Sequence, residues 1–212
     1  MKIVTTLKTH FLWIPLLLIS TMSAQQFSDD DKINYLENSV VVKKSPHAVW
    51  EALSSFGDVS LINVTVDESV TLNGSKNQAA LGAEREVLIP DGITNIINKE
   101  RIVTLIDGVY YTYEVYETEN FPTKRMWVTY GVRLDHKGRT VLFSKVFYEL
   151  NNAFATTFLR RKVKRINMDS LLAYKNFIEN GERQTDVKTL RKRYHDHRAD
   201  AENNMVVNLK EQ

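Results

Sequence analysis

Three tyrosines stand where an alternating strand would aim them in one direction. Val109 to Glu117 alternates Val109, Tyr111, Tyr113 and Val115 against Tyr110, Thr112, Glu114 and Tyr116. Met126 to Leu134 does the same with Val128, Tyr130 and Val132 against Trp127, Thr129 and Arg133. A strand repeats every two residues, so Tyr111, Tyr113, Val115, Val128, Tyr130 and Val132 form one wall, to which Phe158 adds a ring from the stretch that follows. Phenols in an apolar wall pack a guest with their rings and hydrogen-bond its carbonyl or hydroxyl with their oxygens. The same residues also serve as ordinary core filling, and alternation alone does not separate the two.

Charged residues offer two further kinds of chemistry. Arg85 and Glu100 fall on neighbouring strand-like runs, where they either pair with each other or orient the polar end of a ligand. Glu84 and Glu86 lie on the face opposite Arg85; were that face internal, desolvation would raise the pKa of Glu86 and make it a general base. In Arg160-Arg161-Lys162-Val163-Lys164-Arg165 five of six residues are basic, and no acid lies between Leu159 and Asp169. On a helix, each like-charge i,i+4 pair in that run costs about 0.2–0.5 kcal/mol. The run is either a solvated face or a patch for an anionic head group or an acidic membrane surface.

The elements that position these residues are marked by turn chemistry. Ser45-Pro46 opens a helix, serine as cap and proline at the first helical position, and Gly57 ends it. Trp50 on that helix is read as its core anchor. Strand-like runs follow over 64–72, 82–89, 96–106, 109–117, 126–134 and 140–150, separated by Asn73-Gly74, Pro90-Asp91-Gly92, Asp107-Gly108, Phe121-Pro122 and Lys137-Gly138. Short links predict an antiparallel meander. From Ala153 to Asn180 there is no proline or glycine, and Leu159, Val163, Ile166, Ala173, Tyr174, Phe177 and Ile178 recur at helical spacing. At 1.5 Å per residue that helix is roughly 40 Å long, large enough to cover one face of the sheet. A twisted sheet curling around a single helix leaves a gap between them, lined by the inward half of each strand.

The 212 residues are 43% hydrophobic and 25% charged, which fits one globular domain and excludes a disordered chain. The chain has no cysteine, so disulfides and thiolate chemistry are excluded. Lys2 and Lys8, the apolar run Phe11 to Ser20 and the small exit Ser23-Ala24 predict a signal peptide over 1–24, hence a periplasmic or secreted protein. The run is half the roughly 20 residues a membrane span needs. Removing residues 1–24 takes the formal charge from +2 to zero, so a nucleic-acid partner is not expected. Residues 25–37 read as a linker, and 182–212 as a charged extension in which Asp186 caps an exposed helix reaching Asn203. His195 and His197 are two apart and point to different sides of a helix, so no metal site is expected. No cofactor is expected either, and the residues specify no oligomeric state.

Over residues 38–181 the chain resembles the START-like SRPBCC superfamily of polyketide cyclases and lipid-transport proteins. The resemblance rests on Ser45-Pro46-His47-Ala48-Val49-Trp50 with Leu53 and Phe56-Gly57, on Gly82-Ala83-Glu84-Arg85 and Pro90-Asp91-Gly92, and on Glu100-Arg101-Ile102 with Leu105 and Asp107. Tyr113, Val115, Gly138-Arg139-Thr140-Val141 and Phe147 complete it. It implies an α+β helix-grip fold, a curved antiparallel sheet wrapped around a long C-terminal helix, with a hydrophobic ligand cavity. Members usually carry a Trp and a Pro after the first helix, where this chain reads Leu61-Ile62-Asn63-Val64. The expected function is binding of a small hydrophobic or amphipathic, lipid- or polyketide-like molecule. The alternative is a cyclase or dehydratase using Tyr113, Tyr130 or Glu86 as acid/base groups.

Overall fold

The sheet is antiparallel throughout, with its first two strands at opposite edges. The computed structural model describes residues 33–92, 94–151 and 153–195, with side chains from 159 onward in the last stretch. In chain order the elements are β1 (Asn34–Val42), α1 (Pro46–Ser54), α2 (Val59–Ile62), β2 (Glu68–Leu72), β3 (Glu84–Ile89), β4 (Ile96–Ile106), β5 (Tyr110–Glu119), β6 (Thr123–Leu134), β7 (Thr140–Leu150), α3 (Ala153–Asn180) and α4 (Val187–Arg193). The seven strands lie in the order β1-β7-β6-β5-β4-β3-β2, a meander from β2 to β7 onto which β1 is added as the last edge. The curved sheet and the long helix make the expected helix-grip fold.

The strongest sequence signals become the best-defined elements. Ser45 Oγ accepts the Ala48 amide at 3.3 Å and caps α1, which buries Val49, Trp50, Ala52 and Leu53. Trp50 is a core anchor as expected, its Nε1 donating to Asp107 Oδ1 at 2.9 Å. β4, β7 and α3 begin and end where their turn and cap residues place them. Gly131 in β6 has a steric reason: a Cβ there would meet Phe143 at 2.5 Å and Tyr110 at 2.7 Å.

Four expectations need correction. Val64 to Asp67 does not join β2; α2 precedes it, and Asn63 Oδ1 accepts the Thr65 amide at 3.1 Å in a side-chain turn that keeps the chain off the sheet. Val109 is exposed because it belongs to the turn after β4, where Ile106 accepts its amide, rather than to β5. β1 starts at Asn34, since its mixed polar residues continue the pairing with β7 as far as Tyr148. The segment from Asp186 to Tyr194 is not a solvated face. Asp186 does cap a helix, accepting the Thr189 amide at 2.9 Å, but that helix buries Leu190 completely and Tyr194 nearly so. Leu190 and Tyr194 are spaced i, i+4 and form the apolar side of α4, which a charge count hides. Residues 1–24 and His197 lie outside the described residues.

Candidate functional site

The inner face of the sheet and α3 enclose a cavity of about 120 Å³. An apolar void of roughly 150 Å³ takes up one benzene ring, so the open space here is of the order of one small ring, and a longer guest needs the partly buried rim to give way. Antiparallel register decides which residues share an end. Ile89 pairs with Ile96, Val115 with Met126 and Met126 with Tyr148, so the end of β3, the starts of β4 and β6 and the end of β5 converge beside the first half of α3. The lining residues there (Ile89, Val115, Phe121, Met126, Val163 and Ile166) are apolar and only partly buried. This end is the mouth.

The deep end is polar and closed. Arg85 and Glu100 are opposite each other on β3 and β4, 3% and 2% exposed, and both line the cavity. Arg85 Nε donates to Glu100 Oε2 at 2.7 Å and Nη2 lies 2.6 Å from the same oxygen, while Nη1 donates to the Phe56 carbonyl. The guanidinium sits 3.9 Å above the Phe56 ring and 5.3 Å from the Tyr113 ring. Burial pushes the Glu100 carboxyl above its ordinary range, against the pull of Arg85 and of a hydrogen bond from Tyr113. Arg85 remains a cation, so the pair brings no net charge to the cavity when Glu100 is ionised.

Aromatic rings floor this end. Tyr113 and Tyr130 stack with centroids 6.5 Å apart and planes 17° apart, and Tyr174 of α3 packs on Tyr130 at 5.8 Å. The Tyr130 hydroxyl lies 2.8 Å from Ser170 Oγ, which also accepts Asn63 Nδ2 at 2.6 Å, so a hydrogen-bonded chain joins β6, α3 and the end of α2. Asn167 bridges Asn38 and Ser144 at 2.7 and 2.8 Å. Burial raises the pKa of Tyr111, Tyr113, Tyr130 and Tyr174, so these phenols stay protonated and act as neutral hydrogen-bonding groups at ordinary pH.

The structure sorts the expected site residues. Tyr113, Val115, Val128 and Tyr130 line the cavity, as do Arg85 and Glu100. Tyr111 and Val132 are buried but stand behind the wall; Tyr111 packs edge-on against Phe56 at 5.7 Å instead. Glu86 is on the outer face, paired in register with Val70 and Lys99, because the inward parity of β3 belongs to Arg85 and Val87. A buried base at Glu86 is therefore excluded by geometry. The side chain of Phe158 lies outside the described residues. In the basic run Arg160, Arg161 and Arg165 are exposed, Lys164 is half-buried, and Lys162 forms an ion pair with Asp91 in the turn between β3 and β4. Among the described residues no group of three or more His, Cys, Asp or Glu side chains stands close enough to hold a metal ion.

Several lining residues are not among the expected site residues: Asn63, Asn98, Asn167, Ser170 and Tyr174, the last read only as part of the helix's apolar stripe. Two of these had a readable signal. Asn98 shares the buried parity of β4 with Ile96, Glu100 and Ile102, and Ser170 interrupts the inward stripe of α3 between Ile166 and Tyr174. A polar residue at a buried position is retained where partners satisfy it.

Residues 36–177 match the family described as polyketide cyclase / dehydrase and lipid transport. The chain belongs to that family. Solved structures agree on the fold. An aromatase/cyclase from a Streptomyces species, ZhuI, superposes with a TM-score of 0.59 at 15% identity, over 70% of this chain and 98% of that one. The protein Ara h 8.0201 gives 0.57 at 12% identity over 69% and 97%. XoxI from Bacillus cereus gives 0.53 at 21% identity over 68% and 94%. No curated protein sequence matches the chain. At these identities the neighbours share architecture, and the cavity's own residues carry any finer statement.

Proposed function

We propose that this protein binds one small amphipathic molecule, lipid- or polyketide-like, between its sheet and α3, and that it does so after export. The carrying observation is the polarity gradient of the cavity. Its mouth is hydrocarbon, from Ile89, Val115, Phe121, Met126, Val163 and Ile166, while its deep end offers Arg85, Glu100, Tyr113 and Tyr130. A guest with an oxygen at one end and an apolar body satisfies both ends. Guests with a full negative charge fit less well, because Glu100 already occupies Arg85. The family's description supports a hydrophobic guest in general terms, and the amphipathic preference rests on these residues.

The direct test is to purify the protein without detergent, denature it, extract it into organic solvent and identify the extract by mass spectrometry. One co-purifying amphipathic compound in near-stoichiometric amount is the expected result. An empty extract, together with no saturable uptake of an environment-sensitive apolar dye, would sink the reading. Export is tested by sequencing the N-terminus of protein recovered outside the cytoplasm, which should begin at or next to Gln25.

A second reading is cyclase or dehydratase chemistry, favoured by one observation: a buried carboxyl with a raised pKa, Glu100, beside a phenol, Tyr113, in the ligand space. Such a carboxyl can exchange a proton with a bound substrate. In that case Glu100→Gln would abolish turnover of a poly-β-carbonyl substrate while leaving its binding within about a factor of ten. For a binding protein, the substitution changes affinity alone.

A further inference from the structure

We infer that the outward face of the first half of α3 docks on anionic lipid headgroups and so brings a bilayer to the mouth of the cavity. Basic side chains elsewhere on the described surface are commonly matched with acids: Lys99 with Glu117, Lys124 and Arg125 with Glu149, Arg133 with Glu37, Arg139 with Asp135. Lys43, Lys44, Lys76, Lys137, Lys188 and Lys192 also carry no ion pair, but only the α3 run, among the described residues, gathers three such arginines within six residues of one helix. Among the described residues Lys162 is its one member with an ion pair, while Arg160, Arg161 and Arg165 are exposed without one. Arg160/Lys164 and Arg161/Arg165 repel across one helical turn, and no acid between Leu159 and Asp169 offsets them. The run therefore weakens the isolated helix, and an external anionic surface is what would turn that into a gain.

Geometry ties the patch to the cavity. Val163 and Ile166 line the mouth. Arg161 and Arg165 flank Val163 by two positions on either side, which at 3.6 residues per turn puts them on nearly the opposite side of the helix. A helix with its side chains is about 10–12 Å across. Headgroups held by Arg161 and Arg165 thus lie about one helix diameter from the hydrocarbon rim. The half-exposed rim, with Phe121 and Met126, favours a bilayer over an acidic protein or a nucleic acid, because only the bilayer offers an apolar phase from which a guest can transfer. The transfer role rests on the cavity reading; the docking does not.

The test is flotation of the purified protein with vesicles of phosphatidylcholine alone and with roughly one third phosphatidylglycerol, at low and raised salt. Expected are binding to the anionic vesicles only, release by salt, and a loss of about tenfold or more in Arg161→Glu/Arg165→Glu, since each basic residue near an anionic leaflet contributes several-fold to partitioning. Arg161→Gln/Arg165→Gln, which adds no new charge, should lose less but still measurably. Both variants should keep a thermal midpoint at or slightly above that of wild type, since the Arg161/Arg165 repulsion is gone, and should keep uptake of the apolar dye in solution. Equal flotation of the variants, binding without anionic preference, or binding to heparin but not to vesicles would each overturn the proposal. Failure of dye uptake in wild type strikes the cavity reading instead and leaves the flotation result standing.

Discussion

The two halves of α3 are built for different work. From Asn167 to Asn176 every residue is buried, whereas from Leu159 to Ile166 none is. A helix lying on a sheet normally keeps one face in solvent, so the second half must be covered on both sides. The sheet and α1 cover one, and α4 covers the other. Arg191 Nε donates to Asp169 Oδ1 at 2.8 Å, Leu190 is fully enclosed, and the Tyr194 hydroxyl reaches Asn176 and Asn180 at 3.1 Å each. Gln184 also donates to the Ser60 carbonyl, which ties the link before α4 to α2. The first half has the Lys162–Asp91 pair and the cavity rim. The comparison separates a fixed floor, which holds the polar end of the site in register, from a loosely held cover over its mouth.

The largest expected effect is at the floor. Arg85→Met leaves Glu100 buried without its cation and should cost about 3–5 kcal/mol in urea unfolding, as breaking buried ion pairs does. Leu190→Ala should cost about 2–5 kcal/mol. It should also speed amide exchange in 167–176 while leaving 159–166 unchanged. Equal acceleration of both halves would dissolve the distinction. The pH dependence sharpens it. Because burial raises Glu100, the folded state keeps that proton to higher pH than the unfolded chain, whose carboxyl titrates near 4.5. This group's contribution is therefore complete below 4.5 and declines as pH rises through the folded value. Urea midpoints from pH 4 to 8 should show that decline in wild type and not in Glu100→Gln.

At the cover the effects should be small in stability and visible in kinetics. Val163→Ala should cost about 1 kcal/mol or less, yet weaken dye uptake, since it enlarges the mouth. Asp91→Asn removes a partly exposed ion pair worth well under about 1 kcal/mol. It should nonetheless raise both dye association and dissociation rates in stopped flow. Association and dissociation rates equal to those of the wild type would mean that Lys162 and Asp91 do not gate the opening.

The parts that could be read from sequence are those where a long periodic run meets strong turn chemistry. α3 is legible because nothing between Ala153 and Asn180 can break it, and β4 because Asp107-Gly108 ends it. α2 and α4 are too short for a period to stand out, and the buried apolar content of α4 is a single leucine with a tyrosine one turn on. Parity separates Arg85 from Glu86 but does not say which goes inside. That is decided by β4, whose Ile96 and Ile102 lie on the face that also carries Glu100. The polar floor was hidden for a related reason. Pattern reading sends asparagine and serine outward, whereas Asn63, Asn167 and Ser170 are satisfied by one another's neighbours inside the wall.

Asn63 has a practical consequence. With Val64 and Thr65 it spells the acceptor triplet for N-linked glycans. The nitrogen that would carry the sugar is the one donated to Ser170, on a residue 2% exposed. Glycosylation of an emerging chain precedes folding, so a eukaryotic secretory host would place an oligosaccharide where α2 has to close on α3. Recombinant production therefore calls for a host that leaves that amide bare.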